Sequence, residues 1–476
     1  MTLKTSTTAT VTLIALGSLC LAAPATAEPP YPASQVVAGF ELDWSTHDER
    51  APGSDNWPIT WADDDHQYTS WGDGGGFGGT NSDGRVSLGF ARVEGPWDGY
   101  EGFNVWGGKD PENPAQFDGK SYGVLSVDGT FYKWWGPGSG VTSYSETRLC
   151  ISTDRGATWT QSDWDLTETD EQLIMPTILN FGKDYAGARD GFVYHYFIRN
   201  EPTTGGLGIH KGADGTGKID LARVPKEQLM EVEAYEFFAG LDAQGQPIWS
   251  SDAARRAPVF EDPNGVGWNV SVSHNAGLDR YLLATEHSDS LAGLMGLFDG
   301  HEPWGPWTTV RYYEDGVDWF GSDVGHQAST FFWNFANKWL SADGLDFSLV
   351  FTGTGGNDSW NTIRGAFTPG PCAAGLPIVA PSGSCPGTIT LDLSCAAPDG
   401  TVALLLGTGP GSNVLPAGPC AGTEIGLDQP RLGPIVTVDA SGQASLSREA
   451  GDPVCGRYVV ALELGSCTAG DPAELP

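Results

Sequence analysis

Basic residues are scarce in this sequence: 25 lysines and arginines stand against 60 aspartates and glutamates, a formal charge of −35. A surface of that sign repels nucleic acid and anionic lipid, so neither is expected as a partner. Long apolar runs are lacking too. Apart from the N-terminal "VTLIALGSLCLAA", no segment is long enough to span a bilayer, and the protein is not expected to be membrane-embedded. That run follows Lys4 and ends in "PATA", with Ala25 and Ala27 spaced for cleavage. Residues 1–27 therefore read as a secretory signal peptide, and the mature protein as secreted, extracellular or periplasmic. Cys20 would suit a lipid anchor only after a small residue, and Leu19 precedes it. No His-x-x-His, paired Cys-x-x-Cys or Walker spacing occurs, which removes the usual signals of zinc, redox and nucleotide chemistry. Disorder is not implied by the acidity, because 18 Trp, 20 Phe and 14 Tyr supply ample core material.

Beyond residue 368 there is no Trp, Lys or Phe, whereas six of the eight cysteines lie there: Cys372, Cys385, Cys395, Cys420, Cys455 and Cys467. The junction "TPGPCAAGLPIVAPSGSCPG" is rich in Pro and Gly, as linkers are. Residues 369–476 are expected to form a small disulfide-stapled β-sandwich; six cysteines leave the pairing open. Cys150 is left over and reads as a buried, small apolar residue.

Residues 28–368 repeat themselves. Five segments, "PITWADDDHQYTSWGDG", "YGVLSVDGTFYKWWGPG", "KDYAGARDGFVYHYFIRN", "SVSHNAGLDRYLLATEH" and "NKWLSADGLDFSLVFTGT", each carry a short apolar strand, an Asp-bearing turn and a second strand centred on an aromatic. Those aromatics are Tyr68, Tyr132, Tyr194, Tyr281 and Phe347. Asp-Gly between β-patterned runs is a strong hairpin signal, and each hairpin is followed by another strand. Repeating sheets of this size stack radially, because one alone cannot bury both faces. The expected fold is all-β: a five-bladed β-propeller followed by the sandwich. "STDRGATW", Ser152 to Trp159, resembles an Asp-box, which sits on the outside of propeller blades; Asp154 is therefore kept out of the candidate site.

The strand before each hairpin turn is taken as the innermost. Its leading residues then gather at one mouth of the axial channel: Asp55, Asn56, Trp57, Lys120, Tyr122, Asn269 and His326. Asp63, Asp64 and Asp65 occupy a hairpin turn and read as a solvated tip. Asp55 precedes the first strand and Asp73 follows its partner, so both return to the same end. Paired carboxylates so placed can cleave a glycosidic bond, one protonating the leaving oxygen while the other activates water or attacks. Glu101, beside Phe103 and Trp106, is the candidate third carboxylate. Trp57, Trp71, Trp106 and Trp135 are candidate platforms for sugar rings.

The opening string "SDNWPITWADDDHQYTSWGDGGGFGG", with "LNFGKDYAGARDGFVYHY", "LARVPKEQL" and "PWGPWTTV", resembles a bacterial domain-of-unknown-function family of secreted five-bladed propellers. It is similar, more distantly, to propeller glycosidases of the endo-D-arabinanase and arabinanase–xylosidase types. The resemblance implies an inner-strand Asp as base, matched by Asp55, a second Asp that tunes it, for which Asp73 stands, and a Glu acid that no motif fixes. It also implies an acidic residue where this chain reads "VGHQAST" around His326, a departure.

The expected function is that of a polysaccharide- or oligosaccharide-cleaving hydrolase, expected to act as a monomer. A polysaccharide lyase would instead use His326, His274 or Tyr122 as base and Arg189 as the cation. A non-catalytic carbohydrate-binding or scaffold propeller would need only the aromatics. No cofactor is required by these readings, although a propeller channel can hold a structural Ca²⁺.

Overall fold

Strands alternate with tight turns along nearly the whole chain, and the hairpin repeat becomes five separate sheets. The computed structural model describes residues 27–138, 144–201, 208–267, 269–314, 330–354, 357–439 and 441–476. Residues 1–26 of the expected signal peptide, and His326, lie outside them. No helix among the described residues is long and apolar enough to cross a membrane.

Blade 1 consists of Ile59–Trp61, Gln67–Gly72, Leu88–Glu94 and Glu101–Trp106, paired antiparallel in that order. Blade 2 begins with Gly119–Val127, blade 3 with Leu173–Ile178, blade 4 with Val270–Asn275 and blade 5 with Phe331–Phe335. In every blade this first strand is the innermost, as the sequence led us to expect. The five repeated aromatics all fall on second strands and are all buried. Tyr68 shows why the repeat needs them: its ring reaches across to Phe131 of blade 2, centroids 4.5 Å apart, filling the wedge that opens between twisted sheets. The longest interval in the repeat has a plain cause. Blade 3 carries two additional strands, Pro247–Ser250 and Pro258–Asp262, before blade 4 begins.

Hydrogen bonds link the blades around the ring. The Ser126 N–H donates to Thr60 Oγ1 (3.0 Å), the Ser126 hydroxyl to Asp184 Oδ1 (2.7 Å), and Asn334 Nδ2 to the Trp57 carbonyl (3.2 Å). Gly123 lets the inner strands of blades 2 and 3 touch, since a Cβ there would stand 2.7 Å from the Ile178 nitrogen. Blade 5 is completed from the other end of the chain. Val37–Arg50 pairs with Asn357–Pro369, from Val37↔Pro369 to Arg50↔Trp360, and supplies the outermost strand.

The turn Ser152–Trp159 is tied as its residue types suggest. Asp154 accepts from the Thr158 N–H (2.9 Å) and hydroxyl (2.6 Å), and Trp159 packs edge-on against Phe90. Asp63, Asp64 and Asp65 do form a hairpin tip, but one engaged by other blades rather than simply solvated. Asp65 meets Lys183 of blade 3 (3.0 Å) and Lys338 of blade 5 (3.5 Å), and Asp63 pairs with Arg155.

After Pro369 the strands form a separate set of sheets. Ile378–Gly383, Gly387–Ser394 and Ala444–Ala450 face a second sheet built on Thr401–Gly407, Arg431–Thr437 and Tyr458–Glu463. Val379, Leu391, Leu393, Val402, Leu404, Val459 and Ala461 fill the space between them. The disulfides are Cys372–Cys395, Cys385–Cys455 and Cys420–Cys467, and Cys150 is a buried free thiol.

Candidate functional site

Each innermost strand runs from one mouth of the channel to its hairpin turn, so residues before it and after its partner share that mouth. Asp55 and Asp73 obey this rule. Asp55 and Gly72 exchange backbone hydrogen bonds at 2.9 and 2.8 Å, prolonging the first hairpin, and Asp73 follows at once. A side chain at Gly72 would push on the Asp55 carboxylate, because a Cβ would lie 2.6 Å from Asp55 Oδ1. Asn56 and Asp73 both adopt left-handed backbone (φ 55° and 54°), which Asn and Asp tolerate better than most residues.

Around this pair the ring gathers groups from three blades. Lys120, the second residue of blade 2's inner strand, holds Asp73 Oδ1 at 2.7 Å, and Arg85 lies 3.2 Å from Asp73 Oδ2. Asp358 arrives from blade 5, its carbonyl accepting the Gly53 N–H at 2.6 Å. Asp55 is half-buried, but its Oδ1 is sealed from solvent without a hydrogen-bond partner among the described residues. Burial pushes its carboxyl well above the ordinary carboxylate range; the negative charge of Asp358 adds to the rise and Lys120 opposes it. The Asp358 side chain stays partly open to solvent, yet lost hydration, reinforced by Asp73, raises it as well. Tyr144 of blade 2 is buried close enough to feel all three aspartates, and its phenol is raised by burial first and then by them.

The axis beneath is crossed by Asn269 of blade 4, whose Nδ2 donates to Asn56 Oδ1 at 3.1 Å, both residues being buried. Asn56 is fixed further by its N–H to Thr352 Oγ1 of blade 5 (3.0 Å). Asp55, Asn56, Asp73, Lys120, Tyr122 and Asn269 thus belong to one mouth. Among the described residues, no three His, Cys, Asp or Glu side chains converge as a metal-ligating group.

Other expected site residues are placed elsewhere. Glu101 is exposed on the outermost strand of blade 1, opposite Glu94, at the far edge from the channel. Trp57 and Trp71 are wholly buried and stacked on each other, centroids 5.5 Å apart, with Trp360 edge-on to Trp57. Trp106, also wholly buried, and Trp135 sandwich Phe117, each with centroids 5.0 Å away. No face of these four rings is open to a sugar; they are packing between and within blades. Tyr122 lies at the mouth but is buried, its ring 6.5 Å from that of Tyr144. Arg189 and His274 sit at the turn end of the ring, the former paired with Glu302 and lying 4.9 Å over Trp304, the latter 3.4 Å from Asp279. Of the described residues a lyase would use, Tyr122 is thus at the Asp55 mouth, whereas His274 and Arg189 share the opposite end.

Asp358, Arg85 and Tyr144 were not expected from the sequence. Asp358 carried a weak signal: it stands at the same mouth in the last repeat, at the start of its third strand, Asn357–Pro369. Comparison with solved structures returns propeller glycoside hydrolases. The GH43_1 enzyme from Xanthomonas citri complexed with xylose is 16% identical, with 71% of this chain and 90% of that chain covered, at TM-score 0.38. The catalytic domain of the Coprinopsis cinerea GH62 α-L-arabinofuranosidase is 8% identical over 70% of this chain and 96% of that one, at TM-score 0.39. A family 117 glycoside hydrolase of Zobellia galactanivorans is 10% identical over 70% and 91%, at TM-score 0.36. No curated protein matches the sequence. Residues 113–329 match the model of a family described as a domain of unknown function, DUF4185.

Proposed function

We propose that the protein is an exported glycoside hydrolase acting on a neutral polysaccharide or oligosaccharide at the Asp55 mouth of the propeller. The observation that carries this reading is the unlike treatment of two neighbouring carboxyls. Asp55, half-buried with one oxygen sealed from solvent, sits beside another carboxylate and keeps its proton to higher pH, whereas Asp73 is clasped by Lys120 and Arg85. A carboxyl raised in this way beside one paired to cations suits a division into acid and base. Asp55 would donate its proton to the glycosidic oxygen as the C–O bond breaks. Asp73 would take a proton from the attacking water, or itself attack the anomeric carbon. Family resemblance alone would make Asp55 the base; its surroundings favour the acid role.

The test is sugar release from a panel of purified glycans. Asp55→Asn and Asp73→Asn should each lower turnover by about 10²–10⁴-fold, with thermal unfolding unchanged. Full activity in either variant would remove that residue from the mechanism. Products absorbing as unsaturated uronates would replace hydrolysis by elimination.

A further inference from the structure

The C-terminal sandwich meets the propeller at the turn end of blade 4, on the face away from the Asp55 mouth. Between them runs a cleft of about 1130 Å³, walled on one side by Asp279, Arg280, His301 and Trp304 and on the other by Gln443, Glu463 and Ser466. We propose that this cleft is a second carbohydrate site, holding a stretch of neutral glycan several sugars long. The class of ligand follows the carbohydrate reading above; the existence of the site does not depend on turnover.

The cleft is built in advance. The disulfide Cys372–Cys395 lies in its wall, and the Cys372 N–H donates to the Gln35 carbonyl at 2.7 Å, pinning the start of the tail to the segment that leads into the propeller. Ligand sites favour such fixed junctions between domains. Most of its charges are answered within the protein. Asp299 accepts from the Thr308 hydroxyl and lies 3.5 Å from Arg280, Glu463 accepts the Ala397 N–H at 3.0 Å, and His301 lies 3.8 Å from Glu302. Apart from the exposed Asp279 carboxylate at the rim, what remains for a ligand is neutral: the amide of Gln443 and the hydroxyls of Ser441, Ser466 and Thr468, interspersed with alanine and proline surface. An acyl chain would leave those polar groups unpaired, and an anionic polymer would meet a chain of formal charge −35. A chain of neutral sugars supplies hydroxyls and C–H faces in the same alternation.

Native gels cast with arabinoxylan, galactomannan, mixed-linkage β-glucan or dextran, and with polygalacturonate as the anionic control, test the site. At least one neutral polymer should retard the protein, and retard Asp55→Asn equally. Ser466→Trp, which fills the cleft from an exposed position, should weaken retardation at least tenfold while leaving thermal unfolding unchanged. The proposal is overturned if no neutral polymer retards the protein, if Ser466→Trp is retarded like the parent, or if polygalacturonate is preferred. Absence of turnover on every glycan would remove the hydrolase but leave this result standing.

Discussion

Asp358 illustrates what a single residue adds to the mouth. Its charge is, after burial, the largest influence raising the Asp55 carboxyl. An acid catalyst is lost as pH rises through its pKa, so the alkaline limb of the pH–rate profile should report Asp55. Replacing Asp358 by Asn removes a charge that raises that pKa, and the alkaline limb should move to lower pH; a limb that stays in place, or moves up, would separate Asp358 from Asp55. Asp55 and Asp73 were legible in the sequence because they flank one hairpin, and strand alternation alone returns them to one end. Asp358 was harder to read because ring closure, not local pattern, brings it there. The tryptophans misled for a different reason: composition records the ring, not which face is covered. Trp57 and Trp71 flank the aspartates in sequence, yet they fill the wedge behind them.

Among the elements, the closing strand Val37–Arg50 deserves the closest test. Phe40 on it packs edge-to-face on Phe347 and Phe367, centroids 5.9 and 6.4 Å away, and is buried, whereas Trp44 is only half-buried. Phe40→Ala should cost about 3–5 kcal/mol, and Trp44→Ala clearly less, as read by denaturant midpoints. Equal losses would mean the strand is held by its backbone pairing and not by its buried ring. The hairpins themselves were readable because Asp-Gly turns and a buried aromatic act over few residues. The fourth strand of blade 5 was not, since its partner lies at the far end of the propeller sequence and no local periodicity names it.

At the scale of the molecule, every disulfide among the described residues falls in the tail. The propeller is stabilised by packing between blades, so residues 28–368 should fold alone, with sugar release at the Asp55 mouth retained and glycan retardation in native gels lost. Circular dichroism, melting and the two activity assays check this; an insoluble fragment would show that the sandwich is part of the propeller's own stability. The compositional break near residue 368 was visible because the two parts use different residues to build a core: aromatics in one, aliphatics and cystine in the other. How the two meet was not visible, as no local pattern marks the residues that line the cleft between them.

The joining of Val37 to Pro369 also sets a timetable. The earliest strand of the ring to be synthesised must wait for the latest before it can be clasped, and until then two raw sheet edges invite wrong partners. Once fastened, the same seam makes opening a concerted event, so the working lifetime of the protein should be governed by how slowly that clasp lets go.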